Sequence, residues 1–476
     1  MAANRHPLLL HLYSSVHFFE RFSYYGIRSL LLLYLVTKLD FTDCKSYAIF
    51  GVYGTLTYVT PLIGGYVSDR FIGLSGALWS GLFCMLLGYI GLLIPNNTTA
   101  FFMGLGLIAT GSGLYKPNMN ALIGSLYTKE DPQKGSAYTL FYVYQNAGSF
   151  LAPLICGSLG LSMGWLYGFA LACMGVIIGL GILFYAQKKQ HTPNLPAIPF
   201  KYQLGTLVCL VSGALILSAI LGRVIYYGEE SLDILLGLSL IYGLVFWKHY
   251  RSCTEDEKKN MLLILVGIMA VALSGALISH GETVFTLFMK RNVDPLFLNT
   301  KVPVTFIQSI DPLTIIVLGS LTPFLWKAFG KRQMTDTGKI LSGFGMIVLA
   351  YAYLYILCAY FHENYLISVL PFALGLVVLA AADIFIYPNV LTFCSRRTPE
   401  HLTAIVMGFV VFGMALSQLF GTYLAKISSV RLINTTPAKS WLAYQDFFYT
   451  MAVTSALILI ILWIFIRWIG TKKTRP

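Results

Sequence analysis

Long apolar runs separated by short polar stretches repeat along the whole chain. A helix needs roughly 20 apolar residues to cross a bilayer core. On that measure about fourteen spans are expected. They lie near 12–37, 46–69, 74–95, 99–126, 136–160, 163–187, 203–223, 232–248, 260–289, 303–326, 338–361, 364–394, 402–428 and 445–469. Six spans precede a basic connection over 188–202 that carries Lys188, Lys189, Pro193, Pro196 and Pro199. Two spans with almost no polar content follow. A short charged connection, 249–259, then leads into six more. The pattern predicts an all-α polytopic membrane protein: a six-helix bundle over 1–190, a linker with an inserted helix pair over 191–258, and a second six-helix bundle over 259–476. Two such halves suggest a major facilitator fold, whose halves are parallel repeats around a midplane site.

Polar residues inside the apolar runs change the picture from scaffold to pathway. The first span carries His17, Glu20, Arg21, Tyr24 and Arg28 at three- and four-residue steps, which places them on one helical face. A charge at the centre of a spanning helix costs about 2.5–3.5 kcal/mol on insertion scales, so such groups face a partner or a watery cavity. The stripe therefore reads as the lining of a pathway; the alternative is a buried Glu–Arg pair that only holds helices together. Lys116 lies in the fourth span beside Pro117, which frees local backbone and suits a cavity wall. A carboxylate from Glu20 or from a substrate would keep Lys116 charged. Asn146 in the fifth span can donate and accept, which suits a peptide backbone; its neighbours Tyr144 and Gln145 read as helix–helix contacts.

The later spans carry the opposite sign. Ser279-His280-Gly281-Glu282 interrupts the ninth span, and Asp311 and Asp383 lie in the tenth and twelfth. An isolated carboxylate is expensive to keep charged in apolar surroundings, so Glu282 is a proton-carrier candidate. It could equally sit near the outer end and pair with Lys290 or Arg291. Cations in the first half (Arg21, Arg28, Lys116) and anions in the second (Glu282, Asp311, Asp383) suit a zwitterion, its carboxylate toward the first set and its ammonium toward the second. Tyr24, Tyr25 and Tyr58 supply amphipathic rings that tolerate varied side chains. A di- or tripeptide fits; a simple anion does not explain Asp311 and Asp383.

Composition agrees with a membrane class. Of 476 residues, 57% are hydrophobic and 11% charged, against about 25% charged in soluble domains. The net charge of +13 is a topology signal and not a nucleic-acid one: most Lys and Arg fall on one face of the predicted topology, which puts both termini in the cytoplasm. Arg467, Lys472, Lys473 and Arg475 hold the C-terminal end there. The eight cysteines show no CxxC spacing, so neither disulfides nor a metal site is expected. The first apolar run continues into a full span, so no cleavable signal peptide is expected. No cofactor is expected. No nucleophile–base constellation or phosphate loop is legible, and an enzyme is not expected.

Several of these stretches resemble one family. Glu20-Arg21-Phe22-Ser23-Tyr24-Tyr25-Gly26 resembles the first-helix signature of the proton-dependent oligopeptide transporters, a branch of the major facilitator superfamily, with His17 where the family carries a first Glu. Gly65-Tyr66-Val67-Ser68-Asp69-Arg70, followed by Gly73, resembles the superfamily's loop between the second and third spans. Gly113-Leu114-Tyr115-Lys116-Pro117-Asn118 matches a family pattern whose Lys pairs with the first-helix Glu and helps bind the substrate carboxylate. Phe141-Tyr142-Val143-Tyr144-Gln145-Asn146-Ala147-Gly148-Ser149, then Gly164-Trp165, resembles the long signature, with Gln145 for Ile. Departures concentrate in the second half: Ser279-His280 stands near the family's Glu-Gln, Asp311 replaces an amide, Asp383 replaces a Glu that holds the peptide amino terminus, and Val410 stands where Trp is common.

The resemblance implies proton symport of di- and tripeptides by alternating access, with an inserted helix pair typical of bacterial members. It implies peptides, protons and the lipid bilayer as partners, a monomer, and a multi-pass protein of the plasma membrane, of the bacterial inner-membrane type. His17, Glu20, Arg21 and Glu282 are the expected proton-coupling residues. Arg21, Tyr24, Tyr25, Arg28, Tyr58, Lys116, Asn146, Asp311 and Asp383 are expected to bind substrate, and Gly65, Asp69, Arg70 and Gly73 to serve gating. The alternative keeps the fold with another small zwitterion, an amino acid or a peptidomimetic, or without proton coupling.

Overall fold

In the computed structural model helices account for most of every expected span, the one expected over 364–394 beginning at Val369. The structure describes residues 7–128, 131, 133–189, 200–329, 334–361, 365–399, 402–429 and 436–471. Pro193, Pro196, Pro199, Lys472, Lys473 and Arg475 lie outside them. The helices are α1 (Leu8–Thr37), α2 (Asp43–Val67), α3 (Gly73–Leu92), α4 (Thr98–Ser125), α5 (Lys134–Ala152), α6 (Ser158–Ser162), α7 (Trp165–Lys189), α8 (Phe200–Tyr226) and α9 (Gly228–Ser252). They continue as α10 (Glu255–Ile278), α11 (Val284–Asn292), α12 (Ile310–Phe329), α13 (Asp336–Tyr360), α14 (Val369–Ser395), α15 (Thr403–Ala425) and α16 (Pro437–Thr471).

Two expected spans are each made of two helices. A π turn at Pro153–Gly157 joins α5 to α6, and a 3-10 turn at Ser279–Glu282 joins α10 to α11. The second break falls at the polar residues that interrupt the apolar run. By length and composition, nine stretches of the described residues can cross a membrane. The first helix is not among them, because Glu20, Arg21 and Arg28 sit in its body. Two short sheets cap the connections: β1 (Val293–Asp294) pairs in parallel with β4 (Ile367–Ser368), and β2 (Leu296–Phe297) with β3 (Thr300–Lys301) as a hairpin. Leu298 and Asn299 turn that hairpin with φ of 48° and 61°, the left-handed pair that a tight two-residue turn demands.

The chain divides into two compact units. The first comprises residues 1–34 and 56–228, the second 35–55 and 229–476. In the first, several glycines let backbones approach closely. A Cβ at Gly64 would lie 2.1 Å from the carbonyl oxygen of Gly113, and one at Gly148 would lie 2.4 Å from that of Phe18. These approaches press α2 onto α4 and α5 onto α1. Thr60 adds a hydrogen bond from its hydroxyl to the Ala109 carbonyl at 2.9 Å.

The second unit takes in the first turns of α2. Arg291, near the end of α11, donates from both terminal nitrogens to Asp43, at 2.6 and 2.9 Å, and to Tyr444 Oη at 3.1 Å. Asp43 is buried. A two-pronged guanidinium–carboxylate pair is strong only while both members remain. Replacing Arg291 by Ala leaves the Asp43 carboxylate buried without that cation, a loss of about 3–5 kcal/mol. The melting temperature of the purified protein should fall for Arg291→Ala and recover in large part for Asp43→Asn with Arg291→Gln.

Candidate functional site

The polar stripe of α1 is brought together as the spacing predicts. His17, Glu20, Arg21, Tyr24 and Arg28 are all buried, Glu20 completely so. Arg21 donates to Glu20 twice, Nε to Oε2 and Nη2 to Oε1, both at 2.5 Å. Adjacent residues do not normally face each other on a helix, but the long Arg21 side chain folds back along α1 to do so. His17 Nδ1 stands 3.5 Å from Glu20 Oε2. Its Nε2 lies 3.2 Å from Gln145 Oε1, and Tyr115 Oη lies 3.5 Å from Nδ1. That arrangement suits a neutral ring with the proton on Nε2, donating to Gln145 and accepting from Tyr115. The ring also stacks on Phe141 at 4.4 Å between centroids. His17 is thus fixed in orientation, with a basic nitrogen aimed at Glu20.

Gln145 and Tyr144 behave as helix–helix contacts, as their setting suggests: Tyr144 Oη lies 3.4 Å from His11 Nδ1. Asn146 is buried and gives its amide proton to the Tyr142 carbonyl of its own helix at 2.9 Å.

Tyr24 is the centre of the cationic group. Its ring lies 4.9 Å from the Arg21 guanidinium carbon, 5.5 Å from that of Arg28 and 4.7 Å from Lys116 Nζ. Its hydroxyl accepts from Arg28 Nη1 at 2.9 Å and meets Thr57 Oγ1 at 3.1 Å. Tyr25 packs edge-on against it, and Tyr58 offers Lys116 a second ring at 5.6 Å. Three cations therefore converge on one tyrosine with one carboxylate, Glu20, among the named residues. An aromatic face stabilises a nearby cation by about 0.5–2 kcal/mol, less than a buried carboxylate would.

One implied pairing is different in the structure. Lys116 makes no ion pair among the described residues, because Glu20 is held by Arg21. The planar fork of Arg matches a carboxylate with two parallel bonds, whereas Lys is a point charge. Of the two cations considered as partners of Glu282, Arg291 is bound to Asp43.

The anionic residues lie in the second unit. Asp311 opens α12 and is exposed, while Asp383 in α14 and Glu282 in the 3-10 turn are half-buried. Asp311 lies within electrostatic range of both Asp383 and Glu282. Two carboxylates thus act on the negative charge of Asp311, and a nearby cation relieves that repulsion. His280 is buried against Phe447, and its Nε2 has no hydrogen-bond partner among the described residues. It lines a small cavity with Tyr47, Ser279, Gln418 and Thr422.

The loop motif after α2 has its own geometry. Ser68–Ile72 forms a π turn that ends at Gly73 with φ of 65°, a conformation that favours glycine. Gly65 is only partly buried, and a Cβ there would meet nothing. Asp69 and Arg70 are exposed and make no ion pair among the described residues. Sequence reasoning missed Thr57, Tyr115 and Phe141 as partners of the α1 stripe, and Asp43 as a buried ion-pair member. Asp43 opens α2 ahead of the span expected over 46–69, where a charge normally signals solvent.

A multi-helix membrane bundle with a buried cluster of charges is the build of a membrane transporter, and the fold is of the major facilitator type. The family model described as the POT family matches residues 76–442, and the chain belongs to that family. It is 27% identical over 464 residues to the dipeptide and tripeptide permease A of Citrobacter koseri, covering 96% of this chain and 91% of the permease. It is 27% identical to the di-/tripeptide transporter of Lactococcus lactis, over 71% of this chain and 72% of that protein. An uncharacterized transporter of Bacillus subtilis, YclF, is 28% identical over 88% of each chain. Among solved structures, the peptide transporter POT in complex with sulfate superposes with a TM-score of 0.83 at 26% identity, over 99% of this chain and 96% of that one. A point mutant of peptide transporter POT in complex with alafosfalin gives 0.84 at 25% identity, again over 99% and 96%.

Proposed function

We propose that this protein imports di- and tripeptides together with protons by alternating access. The observation that carries this reading is the surplus of cations around Tyr24, where Arg21, Arg28 and Lys116 meet one carboxylate, Glu20. Arg28 and Lys116 receive the peptide carboxylate, with Tyr24, Tyr25 and Tyr58 as the surrounding rings and Asn146 nearby on the backbone side. Asp311 and Asp383 receive the peptide ammonium. The proton is carried at His17, Glu20 and Arg21: a proton on Glu20 releases Arg21, and His17, with Nδ1 facing Glu20, is the group that delivers it. Glu282 is a second carrier. Gly65, Asp69, Arg70 and Gly73 form the gating turn between α2 and α3. The covalent plan is a six-helix half at 1–190, an inserted pair at 191–258 and a second half at 259–476. The protein works as a monomer in the plasma membrane, the bacterial inner membrane being its setting, with both termini in the cytoplasm.

Counterflow of labelled di-alanine into proteoliposomes tests the substrate. Unlabelled di-alanine and tri-alanine should compete, and free alanine and N-acetyl-di-alanine should compete at least about tenfold more weakly, because a lost charge-assisted bond is about 1.5–3 kcal/mol. Asp383→Asn should weaken di-alanine by a similar factor and leave the acetylated peptide nearly unchanged. Equal weakening of both ligands would remove Asp383 from the ammonium site.

A further inference from the structure

The two inserted helices do not belong to the same unit. α8 lies in the first unit and packs along α4. Ser218 donates to Thr110 Oγ1 at 3.0 Å. A Cβ at Gly106 would lie 2.1 Å from the Ser218 carbonyl oxygen, and one at Gly222 would lie 2.7 Å from that of Phe102. One turn further, Phe102 and Tyr226 meet edge to face at 5.1 Å. The contacts step in opposite directions along the two helices, with the small residues Gly106 and Thr110 on α4 facing Ser218 and Gly222 on α8. Backbones in contact in this way fix one register.

α9 lies in the second unit and meets α15 through side chains. Tyr242 stacks on Phe412 at 3.7 Å and 5°, and Phe246 packs edge-on against Phe409 at 5.3 Å. At the other end Tyr423 donates to Asp233 Oδ1. These contacts tie α9 to α15 by side chains at two places, near Asp233 and at Tyr242 and Phe246. Their outward faces are apolar: Ile216 and Ile220 on α8, and Leu240 and Leu244 on α9, are exposed, as a lipid-facing surface would be. Between α8 and α9 there is one residue, Tyr227, in a turn, and the first unit ends at Gly228.

We propose that the inserted pair is a strap. α8 moves as part of the first unit, α9 moves as part of the second, and the turn at Tyr227 ties the two movements together. A chain spans at most about 3.3–3.6 Å per residue. The Tyr226 end of α8 and the Gly228 end of α9 therefore cannot part by more than about 7 Å without unwinding a docked helix end. The unwinding would break the Phe102–Tyr226 or Tyr423–Asp233 contact first. The pair thus sets the reach of the transport movement at its own end. This rests on the alternating-access reading above.

The test uses spin-label pairs in the full-length protein in nanodiscs, with and without saturating di-alanine, at pH 5 and pH 8. Ile216 with Ile177 reports within the first unit, Leu240 with Leu457 within the second, Ile216 with Leu240 across the strap, and Ile177 with Leu457 across the units. The strap predicts fixed distances for the first two pairs and correlated shifts for the last two. A shift in Ile177–Leu457 with none in Ile216–Leu240 overturns the strap and leaves alternating access standing. No shift in either overturns both. A second variant inserts a ten-residue Gly-Ser segment between Tyr227 and Gly228. It should bind di-alanine normally, broaden the Ile177–Leu457 distances and slow uptake about fivefold or more, the lower end of coupling between conformational states. Unchanged uptake and unchanged distances would make the pair a passive spacer.

Discussion

Lys116→Gln is expected to abolish uptake of di-alanine and to weaken its binding by about tenfold to a hundredfold, the span of a hydrogen bond to a charged group. Lys116 rests on the rings of Tyr24 and Tyr58 without an ion pair among the described residues. Removing it costs the resting protein little, because Glu20 keeps both of its bonds from Arg21. The loss falls on the substrate carboxylate, which would enter a pocket with one cation fewer. Lys116→Arg should not restore the wild type, since a planar fork cannot occupy the same point between two rings. Equilibrium binding of labelled di-alanine checks this, with thermal stability as the control. A large fall in stability without a fall in affinity would make Lys116 a structural residue.

Glu20→Gln is expected to act in the opposite way. Glu20 has no exposure, and Arg21 grips both of its oxygens. Its loss leaves the Arg21 guanidinium buried beside an amide, which destabilises by about 3–5 kcal/mol. It also removes the acidic proton site beside His17. Gradient-driven accumulation should vanish, while counterflow persists wherever folded protein remains. The double variant Glu20→Gln with Arg21→Gln should regain stability without regaining coupling, and this separates the two roles. His17→Gln should retain part of the gradient-driven uptake, since Glu20 stays in place and Nδ1 only feeds it. Accumulation by Glu20→Gln equal to wild type would move the coupling to Glu282.

The spans and the polar stripe were legible because both rest on periodicity. Apolar runs must be about 20 residues long in any bilayer, and a three-to-four-residue spacing puts side chains on one face wherever the helix packs. The break in the ninth span was legible for the same reason, since Ser279–Glu282 interrupts an apolar run. Partner choice was not. Glu20 had Lys116 and Arg21 as candidates, and only the geometry of the guanidinium fork against a fully buried carboxylate selects Arg21. The pairing of Asp43 with Arg291 joins residues 248 positions apart, and no local pattern carries that. The separate docking of α8 and α9 was hidden as well. Their contacts are glycine approaches and ring stacks, which look like ordinary apolar filling when each helix is read alone.

The most direct test of the central claim is acidification inside proteoliposomes, read with a trapped pH dye after di-alanine is added outside. The account predicts that the interior acidifies with di-alanine and tri-alanine, does not with free alanine, and no longer does so in Glu20→Gln. Di-alanine counterflow without acidification would contradict proton coupling. Silence toward both peptides, in protein shown to be folded and inserted, would contradict peptide transport itself.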